Sequence, residues 1–205
     1  MAGIKLGQKT TTGDLEGEFI QTRPVNLSRQ EIESVLSHFR GEILQVPPMF
    51  SALKRGGKTL YDLAREGVSI EREPRPVRIE KLEILEFAGE LLTVEVTCSK
   101  GTYIRVLAED IGEALGCGAH LASLRRIGVG DLSIDNSITL EALEAMTLLE
   151  RRKVLKPLDT LMQTFPAVHL SENDRVRFCH GQRLALGLRT CPRVRVYGPD
   201  NIMVG

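Results

Sequence analysis

Between Leu91 and Gly116 the apolar residues change their period, and that change fixes a strand followed directly by a helix. Leu92, Val94, Val96 and Cys98 alternate with Thr93, Glu95 and Thr97, the spacing of a half-buried strand. After the break Ser99-Lys100-Gly101-Thr102, the residues Ile104, Leu107, Ala108, Ile111 and Leu115 recur at helical spacing, and Gly116 supplies a stop. The junction carries two cations, Lys100 and Arg105. A helix start presents free N–H groups with partial positive charge and favours acids. Arg105 in the first turn is locally unfavourable by a few tenths of a kcal/mol or more, roughly. Two readings fit. The site needs an anion, or Arg105 faces solvent or a structural carboxylate.

Two further strands and a capped helix precede this junction. Val77–Phe87 reads as a strand paired with Leu91–Cys98 through Ala88-Gly89-Glu90. Ser28 and Glu31 form a capping box, with Leu27 and Ile32 as its hydrophobic staple. Ile32, Val35, Leu36 and Phe39 form the apolar face of that helix, and Gly41 ends it. Short strands with Gly-rich turns fill the region up to Arg23. After the 102–115 helix a strand is expected around Leu124–Leu132, with helices from Thr139 to about Leu155. Strands in a run followed by helices indicate an α+β chain with a largely antiparallel or mixed sheet.

The stretch from Gln45 to Pro76 is unusual. It contains Pro47, Pro48, Gly56 and Gly57 and a short helical pattern over Leu60–Arg65. Lys54, Arg55, Lys58 and Arg65 make it basic. A loop this long is functional, as a flap closing on an anionic ligand, or is a plain surface insertion. Charge is also uneven further on. The chain is neutral overall, with 27 Lys+Arg and 27 Asp+Glu. Residues 151–205 hold ten basic and four acidic side chains, so residues 1–150 hold 17 and 23. The basic segment is either a polyanion contact or a solubilising surface. Lys156-Pro157 marks a boundary, giving a domain over 1–157 and a small β-rich piece over 158–205.

The 205 residues, 42% hydrophobic and 26% charged, fit a soluble globular protein. No apolar run nears the roughly 20 residues that cross a bilayer, and no secretory leader is visible, so a cytoplasmic location is expected. Cys98, Cys117, Cys179 and Cys191 have no metal-ligand spacing and read as free thiols. His38, His120, His169 and His180 are scattered. Phosphate-loop, dinucleotide and metalloprotease motifs do not occur. The residues alone reach a phosphate-rich partner, RNA foremost, without naming a reaction.

Four segments together resemble the TruB family of tRNA pseudouridine synthases. They are Ile4–Gly17, Phe39–Gly67, Cys98–Arg126 and a weaker C-terminal part. The resemblance implies a mixed-sheet pseudouridine synthase fold with a thumb over 45–76 and a PUA-like module at the C-terminus. It implies isomerisation of the T-loop uridine at position 55 of tRNA, with no metal or organic cofactor. It further implies a monomer bound to the T-arm of tRNA and to no membrane. In this family an aspartate attacks a flipped-out uridine. By position, Arg105 would hold that aspartate, Tyr103 would line the uridine pocket and Leu124 would form an apolar wall. Lys100, Lys54, Lys58 and Arg65 would contact RNA.

The family's aspartate stands in a G-x-L-D-P-x-A-x-G segment, and none of Asp14, Asp62, Asp110, Asp131, Asp135, Asp159, Asp174 or Asp200 has that context. Aligned on Leu6-Gly7, the family's pocket tyrosine falls just before Met1. The expectation is an N-terminally incomplete enzyme, inactive alone, and Ile202–Gly205 reads like the middle of a strand pair. The alternative is an RNA-binding remnant without catalysis.

Overall fold

The computed structural model describes residues 1–187 and 191–205. They form two compact units, Met1–Arg126 and Ile127–Gly205. The division between the units lies at Arg126, whereas composition changes at Lys156-Pro157.

The first unit is built on a five-stranded antiparallel sheet. In chain order its elements are β1 (Ala2–Leu6), β2 (Gln8–Thr10), β3 (Phe19–Thr22), α1 (Arg29–Ser37) and β4 (Gly41–Gln45), then β5 (Lys54–Arg55), β6 (Lys58–Thr59) and α2 (Leu60–Arg65), then β7 (Arg75–Ala88), β8 (Leu91–Cys98), α3 (Ile104–Ala114) and β9 (Ala119–Leu124). The strand order is β4-β7-β8-β1-β9, while β2-β3 and β5-β6 are separate hairpins. The expected pairing of the two long strands holds, with Leu82 opposite Val96 and Ile84 opposite Val94.

Alternation along the strands, shifted by one residue at the irregularity between Ile79 and Lys81, puts Ile79, Leu82, Ile84, Leu92 and Val94 on one face of the sheet. There they pack with Ile4 and Leu6 against Ile32 and Leu36 of α1 and Leu107, Ala108 and Ile111 of α3. Each Leu, Ile or Val among them contributes about 1.5–3 kcal/mol when fully buried. The capping box at Ser28 is formed, since Ser28 Oγ accepts from the Glu31 amide and Glu31 accepts from the Ser28 amide at 2.7 Å. α1 ends at Ser37, and Gly41, at φ +91°, opens β4 instead of closing the helix.

Helix α3 lies tight on β9 because Gly112 faces it. A Cβ at Gly112 would sit 2.3 Å from the Ala119 backbone nitrogen. The strand expected at 124–132 in fact ends at Leu124. Gly116 and Gly118 turn the chain so early that Ala119, His120 and Leu121 already join the sheet, fully or nearly buried.

The second unit contains the hairpin β10 (Gly128–Val129) and β11 (Leu132–Ser133), α4 (Leu140–Ala145), α5 (Leu148–Val154), β12 (Ala167–His169), α6 (Glu172–Cys179) and β13 (Arg195–Tyr197). β12 and β13 pair in parallel. Asp159 ties that small sheet together. It accepts from Tyr197 Oη and, at 3.3 Å, from Arg195 Nη1, and Arg195 also donates to Gln163 at 2.7 Å.

Candidate active-site residues around Arg105

Arg105 is the second residue of α3, just ahead of the buried Leu107–Ile111 face, so its side chain projects from the helix start. Its guanidinium is held on two sides. Nη1 donates to Asp14 Oδ2 at 2.5 Å, and Nη2 donates to the Phe50 carbonyl at 2.7 Å. The Arg105 and Asp14 side chains are 19% and 22% exposed, so the pair is largely screened from solvent.

Asp14 sits in the turn between β2 and β3, and that turn is itself fixed. Thr12 Oγ1 donates to Asp14 Oδ1 at 2.5 Å and the Glu16 amide donates to the same oxygen at 3.1 Å. Thr10 Oγ1 donates to the Asp14 carbonyl at 2.7 Å, and the Leu121 amide donates to Gly13 O at 2.9 Å, stitching the turn to β9. Burial pulls the Asp14 carboxyl upward, but the bonds from Thr12 and Glu16 and the charge of Arg105 outweigh it, and it lies below the usual aspartate value. The cation at the helix start thus has an anion, and the anion is preorganised by a Thr-Thr-Gly-Asp turn.

Glu109 lies one helical turn beyond Arg105. Burial pushes its carboxyl above the usual value, against the pull of Lys9 and Arg105. It packs on Gly13, where a Cβ would come within 2.6 Å of the carboxylate carbon; Gly13 also has φ +74°. Glu109 and Thr12 line an open cleft of about 500 Å³ whose other walls include Pro48, Phe50, Val68 and Arg72.

The other sequence-derived candidates fall in distinct places. Tyr103 is the N-cap of α3 and half-buried. Lys100 is exposed in the turn before it. Leu124 closes β9 and is 58% exposed. Lys54 and Lys58 lie in the β5-β6 hairpin; Lys54 is open to solvent, whereas Lys58 is paired with Glu66 at 2.8 Å. Arg65 ends α2 with its guanidinium 5.8 Å from the centre of the Tyr61 ring. The structure thus brings Arg105 together with Asp14 and Phe50, which sequence reasoning missed. Asp14 is 91 residues away. The only local sign is the Thr-Thr-Gly-Asp turn, which offers an oriented carboxylate but no address for it. Among the described residues no group of His, Cys, Asp and Glu could hold a metal ion.

With this geometry in place, comparison with known proteins identifies the family. The TruB family pseudouridylate synthase N-terminal domain matches residues 1–104, and the tRNA pseudouridylate synthase B C-terminal domain matches residues 105–163. The chain therefore belongs to the TruB family of pseudouridylate synthases. A tRNA pseudouridine synthase B of Burkholderia mallei (strain NCTC 10247) is 52% identical over 211 residues, covering 100% of this chain and 70% of that protein. One of Dechloromonas aromatica (strain RCB) is 48% identical over 202 residues, covering 98% and 68%. Among solved structures, a Cbf5-Nop10-Gar1 complex superposes with a TM-score of 0.72 at 25% identity, covering 99% of this chain and 56% of that one. An H/ACA RNP bound to a substrate RNA gives 0.69 at 22% identity, which speaks to the fold alone. The α+β architecture is that of the pseudouridine synthase fold.

Proposed function

We propose that this chain serves the conversion of uridine to pseudouridine in tRNA, at uridine 55 of the T-loop, as a monomeric cytoplasmic protein whose RNA partner is the T-arm. The observation that carries the reading is Arg105, anchored on Asp14 and on the Phe50 carbonyl in a TruB chain. In this reading the nucleophile is an aspartate in the G-x-L-D-P-x-A-x-G context. Arg105 keeps that carboxylate ionised and oriented, since an adjacent guanidinium favours the charged form. Tyr103 lines the uridine pocket and Leu124 supplies an apolar wall. The N1–C1′ glycosidic bond breaks, the base rotates, C5 bonds to C1′ of the sugar, and the proton that C5 loses is balanced by one gained at N1. Extruding the base costs a few kcal/mol. Backbone contacts from the 45–76 thumb, with Lys54, Lys58 and Arg65, together with Lys100 and the basic residues of the 158–205 PUA-like module, help offset that cost.

The test has two arms. The 205-residue chain, incubated with an unmodified tRNA transcript, is expected to bind and to form no pseudouridine, because none of its aspartates has the required context. Product from this chain would place the nucleophile among its own aspartates. The second arm fuses a segment carrying the G-x-L-D-P-x-A-x-G pattern to the chain. That chimaera is expected to form pseudouridine, and Arg105→Lys in it to lose turnover steeply while keeping tRNA affinity, since lysine lacks the two-pronged fork. A chimaera that binds tRNA salt-dependently yet makes no product would favour the non-catalytic RNA binder.

A further inference from the structure

Helix α3 begins without the usual aids. Its N-cap, Tyr103, makes no side-chain capping bond, and its first turn holds no acid. Another residue takes the place of a cap. Gln45 is the last residue of β4 and only 2% exposed. Its Oε1 accepts from the Tyr103 amide at 2.8 Å, and its Nε2 donates to the Tyr103 carbonyl at 3.1 Å. That carbonyl also accepts from the Leu107 amide at 3.0 Å, the opening bond of the helix. One carboxamide thus engages both polar groups of a main-chain unit 58 residues away. A side-chain amide offers a donor and an acceptor side by side, and a neutral donor–acceptor pair of this shape is what the peptide unit requires.

Five residues beyond Gln45, the Phe50 carbonyl receives Arg105 Nη2. The segment 45–50 therefore grips α3 twice, at the main chain of Tyr103 and at the guanidinium of Arg105. Gln45 itself is fixed by β4, paired with Arg75 of β7. The grip runs from the central sheet to the helix start.

We propose that Gln45 is a positioning residue for Arg105: by fixing the start and rotation of α3 it lets the guanidinium meet Asp14 and Phe50 at once. It also ties the base of the 45–76 excursion to that arginine, so a displacement of the excursion is felt at Arg105. The catalytic meaning of this rests on the function proposed above, but the geometry does not.

The test reads the arginine and its partner by NMR, without turnover, so it stands or falls separately from the proposed activity. Gln45→Met keeps the volume and removes both bonds. In the folded variant, verified by its amide spectrum, the Asp14 carboxyl is expected to titrate at least about half a pH unit above wild type, roughly a threefold weaker hold on its ionised form. An unchanged Asp14 midpoint overturns the proposal. Gln45→Glu supplies the control for folding. Protonated, the new side chain still offers a donor beside an acceptor; ionised, it opposes the Tyr103 carbonyl. The Arg105 guanidinium resonance should match wild type on the acid side of that titration and depart on the alkaline side. The other ionisable groups around Arg105 are Asp14 and Glu109, with Lys9 and Asp110 acting on Glu109. Their contribution is read from wild type over the same range. If Gln45→Met does not fold, the Gln45→Glu profile decides. A resonance that follows wild type across the whole titration makes Gln45 a fold residue only.

Discussion

Replacing Asp14 by asparagine removes one charge and almost no volume. The carboxylate accepts from Arg105, Thr12 and the Glu16 amide. Asparagine can keep the latter two through its oxygen, so the loss centres on the ion pair. A hydrogen bond to a charged group contributes about 1.5–3 kcal/mol. Breaking a fully buried pair costs about 3–5 kcal/mol, because a charge is left without its partner. Here the side chains are 19% and 22% exposed, and Arg105 keeps the Phe50 carbonyl. Both facts push the cost to the lower range, about 2 kcal/mol at pH 7. For a unit of this size that lowers the melting temperature by roughly 6–12 °C. The pH dependence has a definite sign. The folded-state value of Asp14 is depressed, so its contribution is complete above the unfolded aspartate value of about 3.9 and is lost as pH falls through the folded value. The gap between wild type and Asp14→Asn should hold from pH 7 to about pH 5 and close below about pH 4. Because the chain has two compact units, one transition cannot be assumed. Unfolding is best followed through amide NMR signals of residues 1–126. A variant melting within about 2 °C of wild type at pH 7, or a gap unchanged at about pH 3, would refute the reasoning.

Three other outcomes follow from the same structure. Glu109 is raised by burial, so ionising it costs stability as pH rises through its unfolded value toward its folded one; Glu109→Gln should be the more stable protein at pH 7 and level with wild type near pH 4, about its unfolded value. A Gln variant that melts lower at pH 7 would contradict this. Gly112→Ala should lower unfolding stability by about 1–3 kcal/mol or more, since the new Cβ meets backbone at Ala119 and not a side chain that can swing away; a neutral result in urea melts would mean α3 can shift off β9. The double change Lys54→Ala/Arg55→Ala, on an exposed two-residue strand of the β5-β6 hairpin, should weaken tRNA binding. It should also reduce the slope of log affinity against log salt by about 0.7–0.9 for each phosphate that the hairpin no longer neutralises. An unchanged slope would remove this hairpin from the RNA interface.

What is legible in the sequence is local. The alternation over 91–98, the capping box at Ser28 and the Leu60–Arg65 helix each depend on residues a few positions apart, and each is present. The position of β9 is not legible, because the sequence pattern points to Leu124–Leu132 and only the pairing with β1 shows that the strand runs over Ala119–Leu124. Asp14 is invisible as a partner because nothing in its turn points to residue 105. Gln45 is legible only as the first residue of a Pro-rich excursion. Its burial, and hence the meaning of its amide, comes from a strand edge and a helix start that meet only in three dimensions.

The charge at the start of α3 remains the point on which these levels join. A cation in a first turn opposes the helix dipole by about 0.3–1 kcal/mol. The Asp14 pair more than offsets this, so the arrangement is stable without substrate. Yet a guanidinium carries five N–H donors in a rigid plane, and the bonds to Asp14 and Phe50 engage only its two Nη atoms. Asp14 and a second carboxylate are therefore not competitors for Arg105. The first carboxylate can fix the plane of the fork while a donor remains for another, and Gln45 sets where that plane points. In such an arrangement Asp14→Asn should loosen the orientation of Arg105 without removing its charge, and Arg105→Lys should keep the charge and lose the plane.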